Sequence, residues 1–276
     1  MDDTERRVAV RRFARTGDPD RTLAALFAPR EVRDDFFALY AFNVELARIA
    51  EQVSEPGLGD IRLQWWRDAI ERAIVGESGG HPVADAFGEM VARRSLSRDR
   101  VAALIDARSF DVDDTIMPDT AVLDVYLANT AGGVFALAAE ILGAKGKTLD
   151  EAVSAAGTAY GLTGLMRFLP FHASQGRVDF PAEALARHGV SPQEILAGEV
   201  SPGLEELLYE MRERAHQALQ DGRGYLSDID NAGRAAFLPL SLVAPYLAAL
   251  QRVRDPFREI ATINPLSRLW RLAMGK

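Results

Sequence analysis

Apolar residues follow a helical period along almost the whole of this sequence. Apolar residues recur three or four positions apart from Ile61 to Ile74, the spacing that places side chains on one face of an α-helix. The same period continues through most segments between glycine and proline breaks. It predicts helices over residues 3–15, 20–27, 30–53, 58–75, 82–95, 98–112, 120–142, 149–169, 202–229 and 233–250.

The breaks between these segments are short. No linker of distinct composition and no repeat of fixed period divides the sequence. The sequence therefore predicts a single all-α domain over residues 1–276. Only residues 176–181 are compatible with an extended, hairpin-like excursion.

Composition excludes several functional classes. Forty acidic residues against 32 basic ones give a net charge of −8, the wrong sign for a general grip on nucleic acid phosphates. The lack of cysteine excludes disulfides and thiolate metal sites. The N-terminus has no apolar signal core, and apolar runs such as 134–142 are shorter than the roughly 20 residues of a spanning helix. We expect a cytoplasmic protein without a membrane span.

The C-terminal segment 251–276 differs from the rest of the sequence. It has six basic and two acidic residues, a net charge of +4. Four large apolar residues are interleaved with these charges: Leu266, Leu269, Trp270 and Met274. Two interpretations stay open, because helical spacing alone does not separate them: the apolar side packs on the body, or the segment rests on an anionic membrane surface.

Simple catalytic signatures are missing. The four histidines do not have zinc-binding spacing, and no serine-hydrolase or phosphate-loop motif occurs. Carboxylates four residues apart, Asp85 with Glu89 and Glu206 with Glu210, are typical of solvated helix faces.

The predicted helix 30–53 is the most informative segment. Its apolar arc is broad and leaves only a narrow polar stripe containing Glu45, Arg48 and Glu51. Asn43 falls inside the apolar arc, so its amide needs internal hydrogen-bond partners or a ligand. On the next helix Trp65 is favoured as a core residue, and Arg62 is equally compatible with a cavity position.

Several short motifs, in order along the sequence, resemble the squalene/phytoene synthase family, whose members join two prenyl diphosphates. The resemblance runs over residues 20–250. It implies an isoprenoid-synthase-type helical bundle around a central cavity, and residues 251–276 lie beyond this core. The matching segments are 37–42, 62–68, 81–83, Tyr126 with 131–132, 160–163 with Arg167, 176–177 and 180–181.

The family resemblance also implies two D-x-x-x-D clusters that hold Mg²⁺ against a diphosphate. Their defining positions fall here on Ala47 and Glu51, and on Phe168 and His172. Only one carboxylate is left, and Arg48 is placed to pair with it. Pro170 is expected to kink or end its helix. We therefore assign no catalytic residue, no metal ligand and no cofactor. The remaining candidate pocket residues are Tyr40, Asn43, Glu45, Arg48, Arg62, Tyr126 and Arg167.

These departures are similar to one subgroup of the family, which serves in the assembly of respiratory complex I. The similar segments are 41–47, 53–55, 165–172 and 188–191. This resemblance implies a catalytically degenerate, bacterial counterpart, peripheral on the inner face of the cytoplasmic membrane. The implied partners are a membrane-arm subunit or assembly intermediate, an isoprenoid or lipid ligand, and the membrane surface, with no nucleic acid. The alternative is a Mg²⁺-dependent prenyl-diphosphate transferase of isoprenoid biosynthesis that uses remaining acids such as Glu45 and Glu51.

Overall fold

Helices account for all regular secondary structure in the computed structural model, which describes residues 2–53, 56–113 and 115–275. Ser54 and Glu55 of the similar segment 53–55, and Lys276 of the basic C-terminal segment, lie outside the described residues. The all-α, single-domain prediction is confirmed. The α-helices are α1 Asp3–Gly17, α2 Pro19–Ala25, α3 Arg33–Ala47, α4 Ile49–Gln52, α5 Pro56–Ile74, α6 Pro82–Arg94, α7 Arg98–Asp106, α8 Ser109–Val112, α9 Thr120–Leu127, α10 Gly133–Leu142, α11 Leu149–Ser174, α12 Ala182–Arg187, α13 Pro192–Ala197, α14 Pro202–Tyr225, α15 Val243–Leu250 and α16 Pro265–Met274.

Helix α3 lies at the centre of the core. Its broad apolar arc leaves Phe36, Leu39 and Phe42 fully buried, as expected for a helix that is apolar around most of its circumference. Phe42 stacks on Phe87 of α6 with ring centroids 4.0 Å apart. Its edge also meets Trp66 of α5 at 5.5 Å. These aromatic contacts fix α3 against α5 and α6, and they leave one end of α3 facing a cavity.

Side-chain caps explain where many helices begin. Asp2 forms a capping box with Glu5 at the start of α1. The side chains of Asp119, Ser191 and Ser201 accept hydrogen bonds from backbone N–H groups in the first turns of α9, α13 and α14.

Four long predicted helices are wrong in their continuity. Residues 233–250 form a 3₁₀ helix, Gly233–Leu242, followed by α15. Residues 30–53 form a 3₁₀ turn, Arg30–Val32, then α3 and the separate short α4. Residues 98–112 split into α7 and α8, and residues 120–142 contain a π turn, Ala128–Gly132, between α9 and α10. Within that turn the Thr130 hydroxyl donates to the Tyr126 carbonyl at 2.6 Å and competes with the backbone for it. Periodicity misses such local changes because the apolar face continues through them.

The prediction that the helix ends at residue 169, before Pro170, is also wrong. The helix runs through Pro170 to Ser174. Proline lacks the N–H that would bond the carbonyl four residues earlier, at a typical cost of about 3 kcal/mol. Leu169 and Ala173 on either side are buried, so tertiary packing holds this last turn in place.

The loop after α11 and the C-terminal region hold further differences. Residues 176–181 form no strand, and Asp179 and Phe180 are buried there. The short helices α12 and α13, and α16, were not predicted. Asp85 was expected on a solvated face but is buried, and it accepts hydrogen bonds from Ser78 and the loop N–H groups before α6.

Two helical stretches, Thr120–Leu142 and Gly233–Leu250, are long and apolar enough to span a membrane by length and composition. This corrects the expectation that no segment reaches spanning length. Within the fold 67% and 56% of their apolar windows are buried, as in the core helices of a globular protein.

Candidate functional site

A cavity of about 510 Å³ lies between α2, α3, α9, α11 and α15. The central cavity predicted by the family resemblance is therefore present. Ile260 and Arg268 of α16 also line this cavity. The helices that build it bring together residues that are more than 200 positions apart in the sequence.

All four degenerate motif positions line this cavity. Ala47 and Glu51 come from α3 and α4, and Phe168 and His172 come from α11. The predicted pairing of Arg48 with Glu51 is confirmed, with Nε and Oε2 3.7 Å apart. The one carboxylate left at these positions therefore has an internal cation beside it.

Asp111 is the centre of a buried polar cluster in the cavity wall. Its carboxylate accepts from the Tyr126 hydroxyl at 2.8 Å, Arg177 at 2.9 Å and Arg108 at 3.0 Å. Arg108 also donates to the amide oxygen of Asn43 at 2.9 Å. The two candidates Asn43 and Tyr126 thus line the cavity with their polar groups engaged by protein partners.

His172 extends this cluster. Its Nδ1 is hydrogen bonded to Asp179, and Arg177 bridges Asp179 and Asp111 at 2.9 Å to each. Burial opposes ionisation of Asp179, but the hydrogen bond from His172 and the charge of Arg177 outweigh it and hold its pKa below the usual range. The imidazole therefore stabilises a protein carboxylate at a position where the family resemblance places a metal ligand.

A second acidic group, Asp20, lies across the cavity on α2. Tyr246 donates to it at 2.6 Å, and Arg268 approaches it at 2.9 Å. Burial raises the pKa of Tyr246 to about 12, so its hydroxyl keeps its proton and donates. The candidate Arg167 lies 3.8 Å from Asp20, with its guanidinium 3.5 Å from the centre of the Tyr246 ring.

Arg21 is the cavity residue whose polar atoms are least satisfied. It is buried, donates to Asp18 at 3.0 Å and stacks over the Tyr160 ring at 4.2 Å. Its Nε and Nη2 atoms are buried without a protein hydrogen-bond partner. A guanidinium in this state is a ready donor for an anionic ligand.

Three candidates do not line the cavity. Tyr40 is buried in the core and stacks on Phe36, and burial raises its pKa. Glu45 is half-buried, and desolvation raises its pKa. Arg62 is exposed and donates to Gln52 at 2.7 Å. Trp66 fills the core position predicted for Trp65, which is 40% exposed, because both residues fall within the same broad arc of α5.

Sequence reasoning missed several of the charged cavity residues, among them Asp20, Arg21, Arg108, Asp111 and Arg177. Arg177 lies in a segment that carries the family resemblance, which was the only available signal. The others were hidden because a buried, paired charge and a solvated charge look the same in a sequence.

The residues present do not fit the Mg²⁺ clusters that the family implies. Asp20 and Asp111 are surrounded by guanidinium and hydroxyl donors, and Glu51 lies beside Arg48. In the part of the protein that the structure describes, no group of three or more histidine and carboxylate side chains is arranged to hold a metal. Six arginines and four carboxylates line the cavity, so its wall has an excess of fixed positive charge.

Comparison with known proteins places this fold in a family. The squalene/phytoene synthase family model matches residues 14–272. The chain is 32% identical over 258 residues to complex I assembly factor 6 of Rattus norvegicus, covering 92% of this chain and 78% of that protein. It is 30% identical over 197 residues to presqualene diphosphate synthase of Rhodopseudomonas palustris, covering 70% of each.

A solved structure agrees in fold. Squalene synthase HpnC from Alicyclobacillus acidocaldarius superposes with a TM-score of 0.77 at 22% identity, covering 90% of this chain and 94% of that one. The family-model match and the shared fold together show that this protein belongs to the squalene/phytoene synthase family.

Proposed function

We propose that this protein is a non-catalytic member of its family that assists the assembly of respiratory complex I. The observation that carries this proposal is the state of the cavity carboxylates. The four carboxylates that line the cavity, Asp18, Asp20, Glu51 and Asp111, each have an arginine or a tyrosine hydroxyl of this protein beside them and are not aimed together at an open position. The similarity to complex I assembly factor 6 supports the same conclusion.

The chemistry of ionisation explains why these pairings matter. Breaking a prenyl diphosphate ester places charge on the departing diphosphate, and bridging Mg²⁺ ions stabilise that charge. Fixed arginines bind an anion but supply no metal bridge. In this protein the cavity is proposed to retain a lipid-like or anionic ligand without cleaving it.

Deletion of the gene tests the assembly role. We expect assembled complex I and its NADH:ubiquinone oxidoreductase activity to fall in membranes, with carotenoid and hopanoid content unchanged. Expression of the wild-type protein from a plasmid should restore the activity. Normal complex I with reduced isoprenoid products would contradict the assembly role.

A prenyl-diphosphate transferase is the second candidate, favoured by the similarity to presqualene diphosphate synthase. A pyrophosphate-release assay with Mg²⁺ and farnesyl diphosphate separates it from the first. We expect release no greater than from heat-inactivated protein. The squalene synthase HpnC is a suitable positive control, and steady turnover by the present protein would reverse the ranking.

On the assembly hypothesis, the partner is a membrane-arm subunit or an assembly intermediate containing one. Such a partner places the protein at the cytoplasmic face of the membrane as a peripheral protein. We propose no nucleic-acid partner, because a net charge of −8 opposes general binding to phosphates.

A further inference from the structure

Helix α16 has its apolar side turned away from the protein. Leu272 is fully buried, whereas Leu266, Leu269, Trp270 and Met274 are 75%, 43%, 59% and 67% exposed. At 100° per residue the four exposed side chains fall within one arc of the helix. Arg268 and Arg271 lie outside this arc and are only partly exposed. This is the reverse of a helix that packs its apolar side on a core.

Internal contacts fix this orientation. Leu272 packs with Ala24, Leu238 and Leu242. Arg268 reaches Asp20 at 2.9 Å and donates to Tyr246 at 3.1 Å. Rotating α16 to bury its apolar arc would break this buried ion pair, which is costly.

The surroundings of the apolar arc are basic. Arg252, Arg254 and Arg258 precede α16 and are exposed, against two acids in the same stretch, Asp255, which lies 3.4 Å from Arg258, and Glu259. A surface groove adjoins α16, because Phe27 and Leu238, which pack in the cluster around Leu272, also line that groove. That groove is lined by Arg30, Arg33 and Arg234 and by no acid among the described residues. An apolar stripe with Trp and flanking arginines matches the acyl and anionic headgroup layers of a bilayer better than a protein surface.

We propose that α16 is a membrane-docking helix. It lies in the plane of an anionic bilayer, with Leu266, Leu269, Trp270 and Met274 in the acyl boundary and the neighbouring arginines at the headgroups. Docking by α16 does not depend on a role in complex I assembly, since it rests on the exposed arc and its charged flanks alone.

Docking would also place the cavity mouth at the membrane. Arg268 of α16 and the exposed Ile260 both line the cavity, and so do the exposed Phe168 and Phe171 of α11. A ligand with a long apolar tail would then enter from the bilayer without crossing water.

Vesicle co-sedimentation of the full-length protein tests the proposal. The vesicles are phosphatidylcholine alone, or phosphatidylcholine with phosphatidylglycerol. We expect binding to the anionic vesicles, weakened by salt and by omission of phosphatidylglycerol. The double variant Leu266→Ser, Trp270→Ser should bind about tenfold more weakly or worse, because two large side chains no longer leave water.

Two further variants control for folding and for generic stickiness. Ile61→Ser with Val75→Ser removes side chains of similar exposure, 66% and 67%, on α5 and the turn after it, and should bind like the wild type. Trp270→Phe should keep binding but lose most of the blue shift of tryptophan emission on vesicle addition. Circular dichroism should show the wild-type helical content in each variant.

Three results would overturn membrane docking. One is wild-type protein that stays in the supernatant with anionic vesicles at low salt. Another is equal loss of binding in the α5 control. The third is wild-type protein that sediments with native membranes but not with lipid vesicles, and that no longer sediments once those membranes are treated with protease. This result would identify a protein as the partner of this face.

Discussion

At the scale of single residues, Asp111 is the most consequential carboxylate of the cavity wall. It is buried and accepts hydrogen bonds from Tyr126, Arg108 and Arg177. Asp111→Asn leaves the buried Arg108 without its counter-charge and leaves Arg177 with Asp179 alone. We expect the free energy of unfolding, measured by urea denaturation, to fall by about 3–5 kcal/mol.

Asp106→Asn is the matched control for that prediction. Asp106 is paired with Arg67 at 2.6 Å, but both side chains are substantially exposed. Solvent screens such pairs, so this substitution should cost no more than about 1 kcal/mol. Equal losses in the two variants would contradict the structural importance of the buried cluster.

His81 predicts a pH dependence at the same scale. It caps α6, accepting from the Ala84 N–H at 3.4 Å, and packs between Trp65 and Trp66. Burial lowers its pKa from 6.5, with Asp85 opposing that shift. Below pH 6.5 the unfolded state therefore binds a proton more readily than the folded state, and this part of the stability is lost as the pH falls.

His81→Asn keeps a helix-capping side chain and removes the titration. The loss of unfolding free energy between pH 7.5 and pH 5.5 should be smaller in the variant than in the wild type. Urea titrations at each pH measure the difference. Parallel pH profiles would show that His81 does not titrate differently in the two states.

At the scale of elements, α11 and the π turn approach each other closely at Gly157 and Gly132. An added Cβ at Gly157 would lie 2.7 Å from the Gly132 Cα. Gly157→Ala therefore forces two backbones apart and should lower the free energy of unfolding by about 1–3 kcal/mol or more.

The same helix supplies the control. A Cβ added at Gly164 meets nothing within 4 Å. Gly164→Ala should raise the free energy of unfolding by up to about 1 kcal/mol, because alanine is the better helix former. Opposite shifts of the urea midpoint check both expectations, and a loss in both variants would argue against the close contact at Gly157.

At the scale of the whole molecule, the cavity combines six arginines with few open carboxylates. An anionic ligand should bind to these fixed charges without a metal. We expect farnesyl diphosphate to raise the melting temperature as much in EDTA as in Mg²⁺, through binding to the folded state. Stabilisation that appears only with Mg²⁺ would favour the transferase alternative.

Two arginine variants localise that effect. Arg48 lines the cavity with a loose partner at 3.7 Å, whereas Arg62 lies outside it. Arg48→Gln should reduce the ligand-induced rise in melting temperature, and Arg62→Gln should leave it unchanged. The reverse result would place the anion site elsewhere.

The fold class and part of the candidate site were predictable from the amino-acid order alone. Apolar periodicity records which face of each helix leaves water, so it indicated the broad apolar arc of α3 and marked Asn43 within it as a residue in need of partners. The motif positions Ala47, Glu51, Phe168 and His172 could be named because they are local in the sequence, and they all line one cavity.

Contacts between distant parts of the sequence settle which groups neutralise the buried charges and which way α16 faces. Asp20 meets Arg268, and Asp111 meets Arg177, across distances in sequence that no local pattern records. Helical period fixes which residues share a face, but not whether that face turns inward or outward. In α16 one buried leucine and one ion pair settle that choice, and they leave the apolar arc exposed.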